Sequence, residues 1–142
     1  MRLVLGSDHA GLDLKKVLVD AVRAAGHQVE DLGTHTPASC DYPDVANAVA
    51  DAVLDGRADR GILICGTGQG MAMTANKRPG LRAAVVSDTF SARMASAHND
   101  ARVLCLGQRV VGVGLALEIV AVWLATSFEG GRHAARVAKI EG

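Results

Sequence analysis

The chain carries no excess charge of either sign. Lys and Arg number 15 and Asp and Glu number 15 among 142 residues, so the formal net charge is zero. That excludes the broad basic field that holds nucleic acid by counterion release, and any anion has to be met by a local cluster of cations. Cysteines are few: three, at positions 40, 65 and 105, an odd number without a CxxC pair. Neither a disulfide framework nor a tetrahedral zinc site fits that pattern, so free thiols and no metal are expected. Long apolar runs are missing as well. The stretch MRLVLGSDHAG returns to charge too soon for an export signal, which points to a reducing, cytoplasmic setting. The most apolar helical pattern, 113–127, falls short of the roughly 20 residues that a bilayer span requires, so no membrane partner is expected. Repeats, low-complexity stretches and linkers are absent. At 49% hydrophobic residues, the chain suffices for one domain with a substantial core, and residues 1–142 are expected to form a single domain.

What is present alternates. RLVL (2–5) reads as a strand, and Leu14, Leu18, Ala21, Val22 and Ala25 then recur at helical spacing up to Gly26. HQVEDL reads as a weaker second strand. Pro43 opens a helix with Val45, Val49 and Val53 on one face, ending near Gly56. GILIC, LRAAVV and RVLCLG supply a third, fourth and fifth strand, with helices expected at 69–77, 88–98 and 113–127. Strands separated by helices predict a parallel sheet covered on both faces, with ligands at the carboxyl ends of the strands. In the helix at 113–127 Glu118 is the only charge and apolar residues run around the whole circumference. Such a helix has to be buried on every side, which points to a subunit interface, or otherwise to burial within one chain.

The chemistry gathers at strand ends. GTGQG (66–70) follows the third strand and precedes a helix, where free amides and the helix dipole favour negative charge. The GxGxG spacing is not the GxGxxG dinucleotide fingerprint and follows the wrong strand, although Asp88 lies at the distance of a ribose-binding acid. A P-loop is excluded because no Lys-Ser/Thr pair follows the last glycine. Cys65 leads into this cradle. A thiol at a helix amino terminus can act as base or nucleophile, but cysteine also packs well in cores, and the spacing alone does not choose between them. Cys105, inside VLCLG, reads as core, and Cys40 as incidental. Asp8 and His9, just after the first strand, would project into the same crevice as Cys65, or Asp8 could merely cap the following helix. His98 and Asn99 end a helix, where His98 could simply answer the negative end of the dipole. His27 and His35 read as solvated.

The tail EGGRHAARVAKI is less ambiguous. In a helix starting after Gly131, Arg132 and Arg136 lie one turn apart at the amino end, the unfavourable end for cations. A bound phosphate would remove that penalty, since each guanidinium offers paired donors. Arg109, in GQRVVG, could join them. A solvated basic tail is the alternative.

Taken together and in order, GSDHAG, DYP, ICGTGQGMAMTANK, AHNDARVLCLGQRVVG and EGGRHAARV resemble the ribose-5-phosphate isomerase B family, which includes galactose-6-phosphate and allose-6-phosphate isomerases. The resemblance runs from residue 3 to residue 137. It implies an α/β fold, a Rossmann-like three-layer α/β/α sandwich on a five-stranded parallel sheet. It also implies a homodimer, sometimes paired into a homotetramer, with each site built from two subunits and no cofactor. The implied reaction interconverts D-ribose 5-phosphate and D-ribulose 5-phosphate in the pentose phosphate pathway. Carried over by position, the resemblance makes Cys65 the proton acceptor at C2. The loop Gly66, Thr67, Gly68, Gln69 and Gly70 would stabilise the enediolate. Asp8 and His98 resemble the groups that open the furanose ring, with His98 as proton donor, and Asn99 lines the sugar site. His9, Arg109, Arg132 and Arg136 resemble the phosphate grip, and Tyr42 a pocket wall. One branch of the family replaces the cysteine by a glutamate just after the last loop glycine; Met71 stands there here, which places this chain with the cysteine branch. Isomerisation of another sugar phosphate and a noncatalytic nucleotide-binding module are the alternatives.

Overall fold

The structure is a computed structural model describing residues 1–142. β1 (Arg2–Ser7) leads through one 3-10 turn (His9–Gly11) into α1 (Leu12–Ala24), followed by β2 (Gln28–Asp31) and α2 (Tyr42–Leu54). Then come β3 (Arg60–Cys65), α3 (Gln69–Asn76), β4 (Ala83–Val85), α4 (Thr89–Ala97), β5 (Val103–Gly107), α5 (Val113–Ala125) and α6 (Arg132–Glu141). All strand pairs are parallel, in the order β2-β1-β3-β5-β4.

The three-layer arrangement follows from the period-two geometry of the central strands. Leu3, Leu5, Ile62, Ile64, Leu104 and Leu106 face one side, against Leu14 and Leu18 of α1 and Ile119 and Trp123 of α5. Their neighbours Val4, Leu63, Cys65, Val103 and Cys105 face the other, under α2 and α3. Both faces are covered, so β1, β3 and β5 read as continuous apolar runs. Each fully buried Leu or Ile contributes about 1.5–3 kcal/mol of transfer free energy. β2 and β4 are the edges and are only partly buried. There the expected strands HQVEDL and LRAAVV shrink to four and three residues.

α5 is half satisfied by its own chain. Ala116, Ile119, Val120 and Trp123 are buried, whereas Val113 and Leu115 remain exposed. Trp123 anchors the helix: its indole N–H donates to the Ala101 carbonyl at 3.1 Å, and the Arg60 guanidinium lies 5.0 Å from the ring centroid. No helix is long and apolar enough to cross a membrane.

Candidate active site

At the carboxyl end of the sheet β3 delivers Cys65, buried, into the turn before α3. Its Sγ accepts the Gly68 N–H at 3.0 Å. Gly68 has φ +82°, and a Cβ there would stand 3.1 Å from the backbone of Leu106, so only glycine lets the loop lie this close to β5. The loop is further clipped to the chain leaving β5, where Gln108 N–H donates to Cys65 O at 2.9 Å and Arg109 N–H to Gly66 O at 3.1 Å. The Thr67 hydroxyl accepts the Gln69 N–H at 3.3 Å. The N–H groups of Gly66, Thr67 and Gly70 make no hydrogen bond within the chain. The cradle inferred from GTGQG is therefore a row of rigidly held, uncommitted donors.

Other residues converge on the same loop. Asp8, buried, donates its N–H to Ile64 O at 3.3 Å, next to Cys65, while its Oδ1 accepts from Ala10 and Gly11 at 2.9 and 3.2 Å. It is a cap, as one reading of the sequence has it, but Oδ2 takes no hydrogen bond within the chain. His9 is exposed, and its Nδ1 accepts the Cys40 N–H at 3.2 Å, leaving Nε2 as the donor. Tyr42 packs on Gly70 so closely that a Cβ there would collide with its ring. The Arg109 side chain passes over Gly66, exposed and without an ion pair.

Two supporting residues escape the sequence reading. Gln108 Oε1 accepts the Leu14 N–H at 3.0 Å, tying α1 to the end of β5. Lys15, 1% exposed, donates to Asp31 at 2.6 Å and to Thr34 O at 2.5 Å. Burial raises the Asp31 carboxyl, but hydrogen bonds from Lys15 and the Gly33 N–H outweigh it and hold the group below its ordinary value. The signal for Lys15 was its place on the buried stripe of α1, one turn before Val19.

His98 and Asn99 lie elsewhere. They follow α4 and precede β5, at the amino end of the sheet. His98 stacks on His133 of α6, with ring centroids 4.1 Å apart and planes 10° apart. Glu129 N–H donates to Ala97 O at 3.0 Å, clipping the α5–α6 connection to the same end. α6 begins at Arg132 as the tail pattern predicts, and Arg132 and Arg136 are exposed without ion pairs. β5 pairs with β3 so that Val103 faces Gly61 and Gly107 faces Cys65. At roughly 3.3 Å per residue the four steps along β5 separate the two ends by about 13 Å. Within one chain Arg109, at the carboxyl end, is thus separated from Arg132 and Arg136, at the amino end. The signal existed: the helix of a βαβ unit runs back along the sheet, so its last residue lies at the amino edge.

Other readings lose support on geometry. Asp88 caps α4, its Oδ1 accepting the Ser91 N–H at 2.6 Å, which removes the ribose-binding acid. The largest cavity, about 560 Å³ between α3, β4 and α6, contains Arg78 and Arg82. Both are already paired, with Asp51, Asp100 and Glu141, so neither is free to grip an anion. His98, Glu129 and His133 place three ligand atoms within 4.8 Å of one another, a donor set for a cation. Both ring nitrogens, however, already have one and the same Glu129 oxygen as their common neighbour, at 3.9 and 3.5 Å. His27, expected to be solvated, faces the amino-terminal ammonium at 3.1 Å through Nδ1. Cys105 is core, its thiol pushed up by burial and by neighbouring Cys65.

Residues 3–140 match the family described as Ribose/Galactose Isomerase. The chain is 47% identical over 139 residues to ribose-5-phosphate isomerase B of Escherichia coli, covering 98% of this chain and 93% of that one. It is 45% identical over 141 residues to D-erythrulose-4-phosphate isomerase of Pectobacterium atrosepticum, covering 99% and 93%. The solved ribose-5-phosphate isomerase B of Clostridium thermocellum superposes with a TM-score of 0.98 at 53% identity, covering 99% of this chain and 95% of that one.

Proposed function

The chain belongs to the Ribose/Galactose Isomerase family, and on that premise we infer that it is a ribose-5-phosphate isomerase, interconverting D-ribose 5-phosphate and D-ribulose 5-phosphate. Cys65 is the base. Its sulfur removes the proton at C2 of the open-chain aldose and the charge spreads onto the enediolate; the proton returns at C1 and the O2 hydroxyl proton passes to O1, leaving the ketone at C2. The observation that carries this reading is the sulfur held at the end of β3 beside the uncommitted amides of Gly66, Thr67 and Gly70. Donors fixed before the reaction stabilise an oxyanion without reorganising. Gly68 and Gln69 shape the loop, Thr67 supplies a hydroxyl, and Tyr42 walls the sugar. Asp8 and His98 open the furanose ring, with Asn99 beside the sugar. His9, Arg109, Arg132 and Arg136 hold the phosphate, whose binding energy orients the reacting carbons.

Because His98, Asn99, Arg132 and Arg136 lie across the sheet from Cys65, one chain cannot bring them together. A symmetric pair of chains can, each lending its amino-end group to the other's Cys65. The uncovered apolar residues of α5 fit that assembly, as a homodimer or a pair of dimers. No cofactor takes part in this scheme, and the free thiols suit a cytoplasmic enzyme. The test is a panel of aldose phosphates, namely ribose 5-, allose 6-, galactose 6- and erythrose 4-phosphate, incubated without added metal or nicotinamide. Ketose formation fastest from ribose 5-phosphate supports the reading. Preference for another sugar moves the substrate, and no ketose from any of them refutes the enzyme.

A further inference from the structure

We propose that Glu129 and His133 are positioning residues that hold His98 in place as the proton donor of ring opening, an inference that rests on the role given to His98 above. His98 caps the end of α4 and is part-buried. Its imidazole has a stacked neighbour, His133, with planes only 10° apart, so the face of the His98 ring is fixed by contact. His133 is 6% exposed, and its buried Nε2 has no hydrogen-bond partner. That Nε2 stands 3.5 Å from Glu129 Oε2, and the same oxygen stands 3.9 Å from His98 Nε2. One carboxylate oxygen is therefore the charged neighbour common to both rings.

Two imidazoliums stacked this closely repel. Burial, His98 and Arg132 all push the His133 pKa down, with Arg136 acting in the same sense and Glu129 opposing. Arg132 and Arg136 reach the stack from α6 and Glu129 from the α5–α6 connection; beyond His98, Asp100 is already paired with Arg82. His133 is thus held toward its neutral form, and Glu129 is the carboxylate that faces Nε2 of His98. In ring opening the C1–O4 bond breaks with its electron pair going to O4, which takes a proton from His98. Asp8 takes the proton of the O1 hydroxyl, and C1 becomes the aldehyde carbon.

The experiment compares Glu129→Gln, His133→Phe and His133→Ala, in the full chain, on two substrates. Ribose 5-phosphate must be opened. D-Erythrose 4-phosphate cannot close a furanose ring, because its C4 oxygen carries the phosphate. Glu129→Gln and His133→Ala should each lower kcat on ribose 5-phosphate about tenfold. Turnover of erythrose 4-phosphate should be unchanged. His133→Phe, which keeps a flat ring in the stack, should retain most activity. Equal losses on both sugars, or a His133→Phe variant as impaired as His133→Ala, overturn the proposal. His98→Ala run alongside separates the failures. If it loses both sugars equally, the role of His98 in ring opening is wrong. If it loses only ribose 5-phosphate while the Glu129 and His133 variants do not discriminate, His98 stands and the positioning role falls.

Discussion

The two ends of the sheet are built by different means. At the carboxyl end, Cys65 sits in a backbone cage: Gly68 in a left-handed conformation, amides and carbonyls of 65–68 and 108–109 interlocked, Tyr42 pressed on Gly70. At the amino end the working groups are side chains, a stacked pair of imidazoles and two unpaired arginines at the start of α6. A backbone cage keeps its geometry without help, which is what proton abstraction beside an oxyanion demands. Two exposed arginines at a helix amino terminus carry an electrostatic penalty that a bound anion would remove. In the scheme proposed above, the carboxyl end supplies the base and its oxyanion donors, and the amino end supplies His98, Arg132 and Arg136 to the same reaction.

The largest effect that would break this division is at the base. Cys65→Ala should keep the fold and lose turnover by about a hundredfold or more, whereas Cys105→Ala, buried on the same face of the sheet, should cost stability and leave the chemistry intact. Steady-state rates and thermal melts of the two variants decide it, and near-normal turnover in Cys65→Ala would remove the thiol from the mechanism.

Complementation sharpens the comparison next. Cys65→Ala and His98→Ala should each be nearly inactive. If every site takes one end from each of two chains, unfolding and refolding an equal mixture should restore about one quarter of wild-type activity, since half the dimers are mixed and one of their two sites is intact. No recovery above the separate variants would mean that both ends act within one chain.

The grip itself should respond more modestly. Each charge-assisted bond contributes roughly 1.5–3 kcal/mol, so Arg136→Ala should raise KM for ribose 5-phosphate about tenfold to a hundredfold. Unphosphorylated ribose, a poor substrate, should be indifferent to the change. Equal losses in kcat/KM for the two sugars would make the arginine structural.

The smallest effect concerns the support under the carboxyl end. Asp31 is held below its ordinary pKa of 3.8 in the folded chain, so the Lys15–Asp31 pair stabilises the fold above that value and the contribution is lost as pH falls through the depressed one. Denaturant titrations between pH 2 and pH 7, a range of about five units across that transition, should show a steeper loss of stability toward acid in wild type than in Asp31→Asn, where the other lowered carboxyls of Asp59, Asp88 and Glu141 remain. At neutral pH Lys15→Met, which strands a carboxylate, should cost about 3 kcal/mol.

Much of this was legible in the chain itself, for a physical reason. Alternation along RLVL, GILIC and VLCLG is a local pattern set by the two-residue pleat, and it assigns both faces of the sheet without knowledge of what covers them. A strand followed by closely spaced glycines and a helix marks an anion cradle wherever it occurs. Thus Cys65, Asp8, His9 and the one-turn spacing of Arg132 and Arg136 could be singled out, each with its alternative beside it. What local pattern does not carry is which distant segments meet. His98 and His133, Lys15 and Asp31, and Gln108 and Leu14 are brought together only by the strand order and by helices that run back along the sheet. The separation of the Cys65 loop from the His98–His133 stack, at opposite ends of one chain, is likewise a consequence of topology, because a strand holds its two ends a fixed distance apart whatever residues they carry.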